Sequence, residues 1–67
     1  MKKKEQKALA QKIAKYELIV QTSTDKKQVR DAQDKIIELS GKVESLDDIA
    51  AIDEMVQEIL EKYLEKN

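Results

Sequence analysis

Apolar residues recur along this chain at helical spacing in three separate stretches. In the first, Leu9, Ile13, Tyr16 and Val20 follow one another at steps of four and three, and in the second Val29, Ala32, Ile36 and Leu39 do the same. The third row runs Ile49, Ile52, Val56, Ile59 and Tyr63, with Leu60 alongside it. No stretch alternates apolar and polar residues long enough to make a strand. Each row marks one side of a helix, so the pattern predicts amphipathic helices that bury these rows against one another.

The breaks between the rows carry their own chemistry. Thr22-Ser23-Thr24-Asp25 gathers side-chain oxygens that compete for backbone N–H groups and so favour helix starts. Thr24 is the expected N-cap, with Asp25 in the first turn, where the helix dipole favours a negative charge. Gly41, after Leu39 and Ser40, suits a left-handed C-terminal cap. Ser45 and Asp48 resemble a capping box built with the shorter acid, and Val43 and Ile49 are spaced to pack across that start. These signals predict helices near residues 4–21, 25–40 and 46–65. Connections of about three to five residues favour antiparallel neighbours. The expected architecture is all-α, a single helical domain over residues 1–67 forming a small up-down-up three-helix bundle. The alternative is a helical hairpin whose third helix docks on another subunit.

Composition sharpens this picture. The chain has no Pro and one Gly, and neither Phe nor Trp, so the core is built from Ile, Leu, Val, Met and Ala. A 67-residue domain buries a smaller fraction of its surface than a larger one. Small chains often compensate with disulfides or a structural metal, but this sequence contains no Cys and no His. Close helix packing or association has to supply the stability instead, so a bundle completed by dimerisation belongs to the expectation.

Charge is uneven along the chain. Residues 1–21 hold six Lys against Glu5 and Glu17, a net of +4; residues 22–41 are balanced; residues 42–67 hold three Lys against eight acids, a net of −5. In an up-down-up bundle the first and third helices lie side by side, and their opposite charges bias that arrangement, though surface pairs are individually weak.

Catalysis finds little support. Nucleophilic triads need a base such as His, zinc sites need Cys or His, and a phosphate-binding loop needs more than one Gly. No window has the alternating acids and mid-loop Gly of an EF-hand. Paired carboxylates need a pocket, which a bundle this small fills with its own side chains. The expectation is a protein that is not an enzyme and uses no cofactor. No apolar run approaches the roughly 20 residues that span a bilayer. Lys2-Lys3-Lys4 is like the basic start of a signal peptide, but Glu5 to Lys15 is interrupted by Gln and Lys and holds no apolar region. A soluble, cytoplasmic protein is therefore expected, and the Lys/Glu/Ile-rich, Cys-free composition is like that of many small bacterial proteins.

Polar and apolar positions outside the rows are the candidate sites. Glu54, Glu58, Glu61 and Glu65 share a narrow sector of the third helix, pointing away from its apolar row. They form either a solvated outer side or a docking surface for a basic partner, as in an antitoxin- or immunity-type inhibitor. The basic start (Lys2, Lys3, Lys4, Lys7, Lys12 and Lys15) reads as a solubilising end. A membrane-surface helix would need the apolar side that the fold itself uses. A helix-turn-helix reader fails on charge, because the helix after the Gly turn carries Asp47, Asp48, Asp53, Glu54 and Glu58, which phosphates repel. Neither nucleic acid nor a membrane is an expected partner. Leu18, Ile37, Met55 and Leu64 lie off their rows and mark either the rim of the core or an association surface. The leading expectation is a helical interaction protein that self-associates, as a homodimer, or docks on a protein partner through these residues.

Overall fold

The computed structural model describes residues 1–65, and in it the chain forms a three-helix bundle: α1 (Lys3–Thr22), α2 (Lys26–Ser40) and α3 (Leu46–Glu65). A 20-residue helix is about 30 Å long, which matches the long dimension of a molecule measuring 34 × 26 × 15 Å. The shortest dimension, 15 Å, reveals an uneven bundle. Both α2 and α3 pack on α1, while α2 and α3 make almost no contact with each other. The helices therefore lie nearly in a layer, with α1 in the middle.

Alanines make the central position of α1 work. Ala10 and Ala14, one turn apart, are 0% and 1% exposed, and a side chain of one methyl lets a neighbouring helix come close. They join Ile13, Ile52, Val56, Leu60 and Val43 in one apolar cluster, flanked by the half-buried Leu9, Leu18, Ile36, Leu39, Met55 and Ile59. From α2, only Ala32 is buried. The third row is thus centred on Ile52, Val56 and Leu60, whereas Tyr63, placed in that row from the sequence, is 57% exposed. Two packing faces on α1 also explain Leu18. It lies far around the helix from Leu9 yet packs against the core, because α1 is covered on both flanks.

The parallel course of α1 and α3 is pinned near their starts. Gln6 Nε2 donates to Asp48 Oδ1 at 2.7 Å, and the Met1 amine lies 3.4 Å from Asp48 Oδ2. A part-buried hydrogen bond to a carboxylate contributes about 1.5 kcal/mol or more. Asp48 is thereby engaged with α1 instead of closing a capping box with Ser45. Among the described residues this terminal amine is the one ion pair joining α1 to α3, so their opposite net charges act as a diffuse bias.

The connections differ from their sequence reading in two respects. Asp25, not Thr24, is the N-cap of α2: its carboxylate accepts from the Lys27 N–H at 2.9 Å, and its own N–H donates to Ser23 Oγ at 3.2 Å. Gly41 keeps a right-handed conformation, with φ −66° and ψ −16°, and is not a left-handed cap. The chain winds tightly onward through Lys42 N–H to Leu39 O and Val43 N–H to Ser40 O. This winding delivers Val43, buried to 8% exposure, into the core between α2 and α3.

The layer leaves much surface open. A folded chain of 7.7 kDa has an accessible surface of about 4,300 Å² by the usual scaling. This one exposes 5440 Å², and its radius of gyration of 12.1 Å exceeds the roughly 10.9 Å expected for its length.

Candidate functional site

Because α2 and α3 stand apart, the side of α1 between them is left as the floor of a groove of about 220 Å³. Ile13 forms the floor. Ile36 and Val43 line the wall on the α2 side, and Ile49, Ile52, Val56 and Leu60 line the wall on the α3 side. The polar rim consists of Glu17 and Gln21 from α1, Ser40 from α2, and Asp53 and Gln57 from α3. Glu17 and Asp53 are the charged groups of this lining, and neither has a cation within pairing distance among the described residues.

The apolar surface continues past the groove. Ile49 is 44% exposed, Leu64 52% and Leu46 82%. Leu46 and Leu64 are five helical turns apart and so share one direction, between those of the lining residues Leu60 and Gln57. On α2, Ile37 is 70% exposed. It lies about 60° around the helix from Ser40, on the groove side of Ile36 and away from Lys35.

The off-row residues thus fall into two pairs. Leu18 and Met55 are half-buried and packed on the core, whereas Ile37 and Leu64 are exposed beside the groove. The sequence reading missed Leu46, although its alignment with Leu64 was available as a signal. It also assigned Ile49 to the interior because the spacing fits, where the structure puts it on the groove's open edge.

The acidic row occupies a different surface. Glu54, Glu58, Glu61 and Glu65 are all exposed, roughly opposite the buried row of α3 and turned away from the groove. The Lys residues of α1 are exposed as well. Lys12 and Lys15 join Lys35 and Lys42 around a hollow of about 330 Å³ with Tyr16, Glu38 and Leu39, on the side of α1 and α2 opposite the groove. Within the described residues no three acids gather as a metal cluster, and no helix is long and apolar enough to cross a membrane.

Fold and site together define a small all-α protein, a flattened three-helix bundle with an open apolar groove. Comparison with protein-family models, with curated proteins and with solved structures returned no match.

Proposed function

We propose that this chain is a non-enzymatic helical interaction protein whose open face, between α2 and α3, receives another polypeptide. The observation carrying this reading is the near absence of contact between α2 and α3, which leaves Ile36 and Ile49 on the walls of a groove above the core residues Ile13 and Leu60. Supporting it are the exposed apolar residues beside the groove, Ile37, Ile49 and Leu64. The groove offers no His or Cys, and its two carboxylates stand on an open rim. Binding, not chemistry, is what such a lining supports.

Molar mass by light scattering across a concentration series tests the reading, run on the native chain and on Ile49→Lys with far-UV circular dichroism alongside. A native mass climbing toward twice 7.7 kDa, with the variant held at one chain, puts a second copy on the face. One-chain mass for both, with helicity unchanged, excludes a second copy, and the reading then stands or falls on binding of a different polypeptide in titration. If Ile49→Lys unfolds the chain, Ile49 is interior in solution and the open face does not exist.

A second reading rests on the exposed row Glu54, Glu58, Glu61 and Glu65, none of which is ion-paired among the described residues. It is an inhibitor of the antitoxin or immunity type that holds a basic partner on that side of α3. Binding lost at moderate salt and on reversal of these four charges distinguishes it from docking in the groove.

A further inference from the structure

Resting on the open-face reading, we infer that the groove's occupant is a single amphipathic helix with an apolar stripe flanked by Lys or Arg, supplied by a partner and not by a second copy of this chain. Two observations on the groove lead there.

Shape comes first. Two helices standing on either side of a third form a trough that a fourth helix completes as a bundle, with apolar residues at i, i+3 or i+4, and i+7 entering it. The α3 wall presents Ile49, Ile52, Val56 and Leu60 to the trough, with Leu46 and Leu64 exposed at its two ends and Asp53 and Gln57 between them.

Charge then selects the occupant. The groove lining carries Glu17 on the floor helix α1 and Asp53 on the α3 wall, and no Lys or Arg. Cationic flanks on an incoming helix would meet both. A second copy docked groove to groove would bring an identical acidic rim, since a two-fold interface sets the same patch against itself. Like charges across an interface oppose that pairing. The molecule's Lys cluster is no remedy, because Lys12, Lys15, Lys35 and Lys42 surround the hollow on the opposite side.

The test uses two synthetic peptides of about 18 residues, ~27 Å long as helices. They share one Leu stripe at helical spacing and differ only in having Lys or Glu on its flanks. Each is titrated into the full isotope-labelled chain, with backbone amide shifts as the map and fluorescence anisotropy for affinity. The Lys-flanked peptide is expected to bind, to move the resonances of Ile36, Val43, Ile49 and Val56, and to weaken with added salt. Combining Glu17→Gln with Asp53→Lys should lower that affinity on the order of 10-fold and improve the Glu-flanked peptide. Glu54→Lys with Glu58→Lys, on the outer side of α3, should leave it within about 2-fold. Four outcomes overturn the inference. Equal binding of both peptides leaves an apolar groove without charge selection, and the open-face reading stands. Loss of binding on reversing Glu54 and Glu58, with Glu17 and Asp53 silent, moves the site to the outer face. Neither peptide binding, in a chain that light scattering shows to be dimeric, makes a second copy the occupant; neither binding in a monomer removes both readings.

Discussion

Leu60 and Leu64 sit one turn apart on the same helix, yet one is 5% exposed and the other 52%. Truncating each to Ala applies the same chemical change to a core position and to an open one. Leu60→Ala removes three carbons from the interior, about 2.4 kcal/mol at ~0.8 kcal/mol per buried CH₂. A sealed site would add a cavity penalty, with Leu→Ala losses of roughly 2.7–5.0 kcal/mol. Leu60 borders the groove, so water and neighbours reach the vacated space and the loss should stay near the bottom of that range, at ~2.5–3 kcal/mol. At Leu64 about half of the side chain is already solvated, which halves the transfer term to ~1.2 kcal/mol. The better helix propensity of Ala returns ~0.2 kcal/mol, so the expected loss is about 1 kcal/mol or less. Urea unfolding followed by far-UV circular dichroism reads both variants. With a slope of about 1 kcal/mol per molar for a chain this small, the midpoint should fall by ~2.5 M for Leu60→Ala and by under ~1 M for Leu64→Ala. A domain of this length has only ~3–10 kcal/mol in total, so a stabilising osmolyte is added to all samples to keep the folded baseline in view. Comparable large losses would mean that Leu64 is covered in solution, and small losses for both would remove Leu60 from the core.

Two local substitutions check the connections. Gly41→Ala should stabilise the chain by about 0.4–1 kcal/mol, since φ is −66° and an added Cβ would sit at 3.4 Å from Ile37 O, in ordinary contact; a fall in thermal midpoint would refute the right-handed assignment. Asp25→Ala should cost about 1 kcal/mol in a denaturant titration and Thr24→Ala a few tenths at most, because only Asp25 bonds the first turn of α2. The reverse order would restore Thr24 as the cap.

Periodicity alone was enough to find the helices and their order, because a spacing of three and four residues has few other physical readings. It failed at residues whose fate depends on how many neighbours a helix has. A helix with one partner buries one row; α1 has two partners, so Leu18 packs on the core from a direction that the Leu9 row does not include. The opposite error fell on α3, where Tyr63 and Ile49 satisfy the spacing but stand at an end and at an open edge. Cap assignment failed for a subtler reason. Thr24 and Asp25 are both competent acceptors, and the choice between them rests on Ser23, whose Oγ accepts from Asp25 N–H and donates to Gln28 Oε1 at 2.9 Å. The groove was out of reach of the sequence because it arises from how little α2 and α3 touch each other. What could be read was its residue: apolar positions in excess of one core, Ile37 and Leu64 among them.

The bond from Gln6 to Asp48 has a bearing on how the chain folds. It joins residues 42 positions apart, and the cluster that holds most of the buried side chains unites the same two helices. The neighbours in sequence, α1 and α2, meet at little entropic cost, and α2 brings the buried Ala32 together with the half-buried Ile36 and Leu39. Joining α3 to α1 closes the longer loop, across the whole of α2, and so carries the larger entropic cost. The tight winding after Gly41 shortens that span, turning the chain back so that Val43 joins Ile13 in the core ahead of α3.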